Sequence, residues 1–289
     1  MPGPLLVVDA PFLLYRSFFA LPDSIRGVDG RPIGALLGAT NLLLRVAADR
    51  AARAIVLCFG AEAAAYRVEL YPAYHAARPA VPDALAWQLE QAPDYFSAFG
   101  WSNQQAPALE ADDLLGSLVS VEAGAGGRAL ILTGDRDMYQ CAADRVGVLF
   151  LKMGASGFEE VDAAEVQRRY GVPPALVPDF IALRGDPSDG LPGAPGIGAK
   201  TAADLLRRHG SLQQAIARAG GERPRIAAAL MGCAQELLKF REIATLRTVA
   251  LDRPADRPTD LAGGAHAARR YGMNRLAERL EHAEGLSDL

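Results

Sequence analysis

Four short apolar runs set the frame of this chain: LLVVDA at 5–10, AIVLCFG at 54–60, ALILTGDRDM at 129–138 and VGVLFLK at 146–152. Each is unbroken by charge until it stops at Asp, Gly or a turn, as a strand buried on both faces does. Helical patterns lie between them, at about 34–50, 84–99, 111–123 and 162–170. Strands alternating with helices predict an α/β fold with a central, mostly parallel sheet flanked by helices. Ligands in such sheets bind beyond the carboxyl ends of the strands, where Asp9 and Asp135 stand.

Beyond about residue 172 the strand pattern ceases. VPPALVPDFIALRG, SLQQAIARAG, RIAAALMGCAQELLKFREIATL and GMNRLAERLEHA all read as helices, the third as one long one. The chain is therefore expected to divide into an α/β core, 1–172, and a helical region, 173–289. The Gly- and Pro-rich tract 185–198 reads as a tight turn, and no solenoid repeat occurs. No run of about 18 apolar residues exists, so no membrane partner is expected. The three cysteines, Cys58, Cys141 and Cys233, are widely spaced in apolar surroundings and read as buried thiols in a reducing compartment. Neither they nor the four histidines have zinc-ligand spacing.

Acidic residues collect at strand ends and loops: Asp9; Glu110, Asp112 and Asp113 in ALEADDLLGSL; Asp135 and Asp137 in TGDRDM; Asp186 and Asp189 in GDPSDG. Alone, Asp9 is as readily a helix cap, EADD a solvated helix start and GDRD a turn. Together they are hard to explain by capping. Eight carboxylates in one cleft would repel unless compensated. Two or three Mg²⁺ or Mn²⁺ ions, which prefer oxygen ligands, would compensate them. A pair of such ions can activate water and stabilise a leaving oxygen in phosphodiester cleavage.

LPGAPGIGAKTA at 191–202 is a helix-hairpin-helix pattern. Gly193, Gly196 and Gly198 permit close backbone approach, Ile197 anchors the hairpin, and Lys200 and Thr201 open a helix whose N–H groups can hold a phosphate. Such a motif grips a DNA backbone without reading sequence. Arg207, Arg208 and His209 continue the basic face. The net charge of −4 argues against a nucleic-acid partner only on average. Setting the eight clustered carboxylates aside turns it into +4, with Arg67, Arg78, Lys200, Arg207, Arg208, Arg223 and Arg225 available for phosphates.

VVDAPFLLYRSFFALP, YRVELYPAYHAARPAVPDAL, EADDLLGSL, TGDRDMYQ, YGVPPALVPDFIALRGDPSDGLPGAPGIGAKTAADLL and KFREIATLRTV follow one another over nearly the whole chain. In this order they resemble the bacterial 5′-3′ exonuclease and flap endonuclease family, which includes the N-terminal nuclease domain of DNA polymerase I. The resemblance implies a PIN-like nuclease core with an arch-like segment at 62–100. It implies a stand-alone, divalent-metal-dependent nuclease acting at DNA with a 5′ flap, nick or free 5′ end, in replication and repair. Asp9, Glu110, Asp112, Asp113, Asp135, Asp137, Asp186 and Asp189 would be the metal ligands, with Asp113 and Asp135 reaching ions directly. Arg67 and Arg78 would clamp phosphate. The hairpin residues Gly193, Gly196, Ile197, Gly198, Lys200, Thr201 and Arg207 would hold duplex DNA, with K⁺ bound at the hairpin. A monomer in the bacterial cytoplasm, associated with the nucleoid, is expected.

Two departures stand out. The family has Phe-Asp after the second strand, with that Asp in the metal shell; here it is Phe59-Gly60, and Glu62 is the nearest replacement. The family has Tyr-Lys-x-x-Arg-Pro; here it is Tyr74-His75-Ala76-Ala77-Arg78-Pro79, and a neutral His does not carry the Lys charge. These leave open a silent binder of branched DNA, for which Gly60→Asp is expected to restore cleavage. A nuclease preferring RNA or RNA–DNA hybrid also stays open. A metabolic α/β enzyme is disfavoured, because no Gly-rich dinucleotide fingerprint follows LLVVDA.

Overall fold

The computed structural model describes residues 3–152 and 157–288. The first half runs β1 (Leu5–Asp9), α1 (Ala10–Ala20), α2 (Gly34–Arg50), β2 (Ala54–Gly60), α3 (Ala65–Leu70), α4 (Asp83–Ser97), β3 (Ser102–Ala106), α5 (Ala111–Gly124), β4 (Ala129–Thr133), β5 (Val146–Phe150), β6 (Glu159–Val161) and α6 (Ala163–Tyr170). Helices follow: α7 (Val177–Arg184), α8 (Ala199–His209), α9 (Leu212–Ala217), α10 (Pro224–Gly232), α11 (Ala234–Ala244), α12 (Leu261–Arg270) and α13 (Asn274–His282).

The strands form one sheet of order β3-β2-β1-β4-β5-β6, parallel except for the antiparallel edge strand β6. All five residues of β1 are buried, and they alternate between two cores. Leu5 and Val7 face α5 and helices α6 to α11. Leu6 and Val8 face α1, α2, α4, α12 and α13. The connections reverse direction between β1 and β4, which opens a crevice at their carboxyl ends.

The four apolar runs are the four central strands. β3 and β6 lack that signal: SNQQA is polar, and EEV is only three residues long. The long helix expected over 225–246 is broken at Cys233 into α10 and α11. Helices α12 and α13 do not stay with the other carboxy-terminal helices. They return to the opposite core, where Ala265, Met273, Leu276 and Leu280 are buried. Of the arch-like stretch 62–100, residues 83–97 form α4, which buries Leu85, Ala92, Tyr95 and Phe96. Among the thiols only Cys58 is fully buried; Cys141 and Cys233 are half-buried. Among the described residues no helix is long and apolar enough to cross a membrane.

Candidate active site

Asp9 ends β1 and caps α1. Phe12 N donates to its Oδ1 at 3.1 Å, while Thr133 Oγ1 donates to its Oδ2 at 2.7 Å. Asp135 N in turn donates to Thr133 Oγ1 at 3.0 Å, and Asp137 N to Asp135 Oδ1 at 2.7 Å. Capping and site formation are thus one arrangement: the cap fixes Asp9 against the turn that carries Asp135 and Asp137. Thr133 drew no attention in the sequence, although it adjoins the acidic turn.

Asp186 and Asp189 come from the loop that follows α7. Asp186 and Leu191 exchange two backbone hydrogen bonds of 2.8 Å, closing the 186–191 loop. Ser188 N donates to Asp186 Oδ1 at 2.9 Å.

Six aspartates act on one another. Burial, then the charges of Asp135 and Asp9, pushes the Asp112 carboxyl well up. Burial, then Asp135, Asp189, Asp186 and Asp112, does the same to Asp137. Asp135 is pushed up to about 7 by burial and then by Asp189, against a hydrogen bond from Asp137 N. Burial raises Asp9 despite its Thr133 and Phe12 partners.

Glu110 and Asp113 are hydrogen-bonded to Arg67 rather than to the aspartates. Arg67 is only 3% exposed, where an open phosphate clamp was expected. Its Nη1 donates to Glu110 Oε2 at 2.5 Å and its Nη2 to Asp113 Oδ1 at 3.3 Å. Tyr74 OH donates to Glu110 Oε2 at 2.9 Å, and Ala64 N to Glu110 Oε1 at 2.8 Å. Burial works against the Arg67 charge, but Glu110, Tyr74 and Asp113 hold its pKa above the ordinary value. Asp113 is fully buried, and Arg247 N donates to its Oδ1 at 2.7 Å. Of the adjacent acids at the start of α5, Asp112 therefore faces the aspartate cluster and Asp113 faces Arg67.

The two departures also take physical form. A Cβ at Gly60 would stand 2.4 Å from Ala111 N and 2.5 Å from Glu110 C, so backbone fills the space a side chain needs. Glu62 does not replace the missing acid: it is exposed, and its main-chain oxygen is what meets His75 Nδ1, at 2.8 Å. A carbonyl only accepts, so that nitrogen donates. His75 Nε2 meets Asp189 Oδ1 at 3.1 Å, and Arg78 Nη2 donates to the same oxygen at 3.2 Å. The position read as a lost cation is occupied with holding Asp189. Arg78 is the more open of the pair, its side chain 39% exposed.

Gly60→Asp is accordingly expected to destabilise the chain by about 1–3 kcal/mol, as overpacking does, without raising cleavage. Urea denaturation beside a cleavage assay checks both parts.

Among the described residues no three Asp, Glu, His or Cys side chains converge closely enough to grip a metal ion as they stand. The donor set nonetheless fits a hard divalent cation. It is all oxygen, and its carboxyl groups are pushed up by burial first and by one another's charge second, both of which a bound cation would offset. A pH dependence follows. Folded-state values raised above the unfolded value, near 3.9, mean that the folded protein binds more protons. That contribution to stability is complete below about pH 4 and lost as pH rises through the folded values, about 7 for Asp135. The metal-free melting temperature should fall across this window, and Mg²⁺ should raise it more at pH 8 than at pH 5. Scanning calorimetry at both pH values measures this.

The hairpin lies beside the acidic loop. Gly193 has φ 68°, and a Cβ there would meet Gly185 N at 2.3 Å. Ile197 is buried. Gly198 precedes α8 and supplies no side-chain cap, so the first-turn N–H groups beside exposed Lys200 lack that partner. Arg207 pairs with Asp204, and Arg208 with Glu222.

Residues 4–171 match the family model described as 5′-3′ exonuclease, N-terminal resolvase-like domain, and residues 172–259 match 5′-3′ exonuclease, C-terminal SAM fold. A 5′-3′ exonuclease of Mycobacterium tuberculosis is 36% identical over 98% of this chain and 98% of its own length. The thermostable DNA polymerase I of Thermus thermophilus is 34% identical over 96% of this chain, which spans 32% of that polymerase. Among solved structures, a bacteriophage T5 flap endonuclease in a pseudo-enzyme-product complex with DNA and metal ions superposes with TM-score 0.69 at 17% identity, covering 99% of this chain and all of that one. The catalytic core of Rad2 in complex with DNA substrate superposes with TM-score 0.65 at 14% identity, covering 97% of this chain and 92% of that one. At such identities these two bear on the fold alone. The two models together cover most of the chain, and the Mycobacterium relative aligns nearly end to end: the chain belongs to the 5′-3′ exonuclease family.

Proposed function

We propose that this chain is a structure-specific 5′ nuclease that hydrolyses DNA phosphodiesters at 5′ ends and at 5′ flaps, using two or three Mg²⁺ or Mn²⁺ ions. The observation that carries this is the set of six mutually repelling aspartates at the crevice between β1 and β4. Asp9, Asp112, Asp135, Asp137, Asp186 and Asp189 are the proposed ligands. Bound divalent cations would supply a more acidic water and positive charge to stabilise the leaving oxygen. Glu110 and Asp113, held by Arg67, would brace the α5 end of the site. Arg78 stands half-open beside Asp189, where a phosphate can meet its guanidinium. Lys200, Thr201 and the first-turn N–H groups of α8 would hold the duplex backbone, with Gly193, Gly196, Ile197 and Gly198 shaping the approach. K⁺ at the hairpin, a monomeric state and a bacterial cytoplasmic location extend the proposal. Three free thiols suit the last of these.

The experiment is cleavage of a 5′-labelled flap duplex, a nicked duplex and an RNA–DNA hybrid, with Mg²⁺, Mn²⁺ or chelator. Release of label from the flap in either metal, and none in chelator, is expected. Tight binding in chelator with no cleavage in either metal would make the chain a silent binder instead. Faster cleavage of the hybrid would move the substrate to RNA.

A further inference from the structure

Residues 245–260, between α11 and α12, have no regular secondary structure, yet this strap is hydrogen-bonded to α5 at successive points from its first turn to its last. Arg247 N donates to Asp113 Oδ1 at 2.7 Å, and Val249 N to Ser117 Oγ at 2.9 Å. Farther on, Arg253 grips Glu122 through Nε at 2.9 Å and Nη2 at 3.0 Å. Leu246 packs on the helix face at Gly116. The Arg247 guanidinium lies over the Tyr66 ring, Cζ 3.3 Å from its centroid, so one residue ties the strap to both α5 and α3.

Adjacent residues on a helix point about 100° apart, from 3.6 residues per turn. Asp112 and Asp113 therefore point in different directions, and what pins Asp113 helps set where Asp112 points. Two donors pin it, Arg247 N and Arg67 Nη2, and both use Oδ1. Asp113 Oδ2 is buried without a partner among the described residues, so no third bond backs them up. We infer that Arg247 is a positioning residue: its guanidinium, seated on the Tyr66 ring, holds its main-chain N–H on Asp113 Oδ1 and so fixes the first turn of α5 with Asp112 toward Asp9 and Asp135. The inference rests on the reading of the six aspartates as a metal centre. The Arg253–Glu122 clasp, two turns away, anchors the strap without orienting that turn.

The test is calorimetric titration of the full chain with Mn²⁺, without DNA, because Arg247 is exposed and could also meet a phosphate. Arg247→Ala, which keeps the main-chain N–H but removes its anchor on Tyr66, is expected to weaken Mn²⁺ binding by about tenfold or more, as loss of support behind a ligand does. Arg247→Lys, which keeps a cation for Tyr66, should recover part of the loss. Arg253→Ala should lower the melting temperature yet bind Mn²⁺ within about twofold of the wild type, outside the range expected for a ligand's support. Arg247→Gln carries the same comparison should Arg247→Ala not fold. Unchanged Mn²⁺ affinity in the Arg247 variants, or equal weakening by Arg253→Ala, overturns the inference alone. No Mn²⁺ binding by the wild type overturns the metal-centre reading and this inference with it.

Discussion

Asp135→Asn is expected to reduce metal-dependent flap cleavage by on the order of 10²–10³-fold, the scale on which losing one electrostatic contact at a transition state is felt. Asp135 sits at the middle of the cluster. It takes Asp137 N as a donor, feels Asp189, Asp9 and Asp186, and has its carboxyl pushed up to about 7. The amide still accepts from Asp137 N, so the turn should keep its shape. It carries no charge, so repulsion in the metal-free site falls. Metal-free Asp135→Asn should therefore melt no lower than the wild type while cleaving far less. Single-turnover cleavage and a thermal melt on the same sample separate a charge effect from a folding effect.

The second large effect is on stability. Arg67→Ala should cost about 3–5 kcal/mol, because removing one partner of a buried ion pair leaves its acids uncompensated. Here two acids lose that partner: Glu110, 5% exposed, and Asp113, fully buried. An exposed phosphate clamp would show the opposite pattern, with DNA affinity falling and the urea midpoint unmoved. Denaturant melts of the free protein distinguish the two.

Much of this was legible in the residues, and what was hidden has physical causes. Leu5–Asp9, Ala54–Gly60, Ala129–Thr133 and Val146–Phe150 announce themselves because strands buried on both faces must be apolar throughout. Ser102–Ala106 does not, since it is polar and lies at the sheet edge. Leu261–Arg270 was missed because Gly263 and Gly264 weaken a helical pattern. Added side chains there would strike Ala98 O and the Phe99 ring. Close packing explains those glycines, and packing is not written in a local pattern.

The site divides the same way. All eight acids were picked out, but their orientation was not. Spacing cannot tell that Asp112 and Asp113 face different partners, because the deciding donor, Arg247 N, comes from 134 residues away. Nor can it show that Arg67 is inside the protein. Gly60 read as a lost ligand, whereas its surroundings make it a point of backbone contact.

The central claim is that Asp112 works at the metal centre while Asp113 braces it. The direct test is the single-turnover rate of 5′-flap cleavage at saturating Mg²⁺ for Asp112→Asn and Asp113→Asn, side by side. The account predicts a loss on the order of 10²–10³-fold for Asp112→Asn. For Asp113→Asn it predicts a loss of about tenfold, the low end for a supporting residue, since the amide oxygen still accepts from Arg247 N and Arg67. Equal loss in both variants, or an active Asp112→Asn, would contradict it.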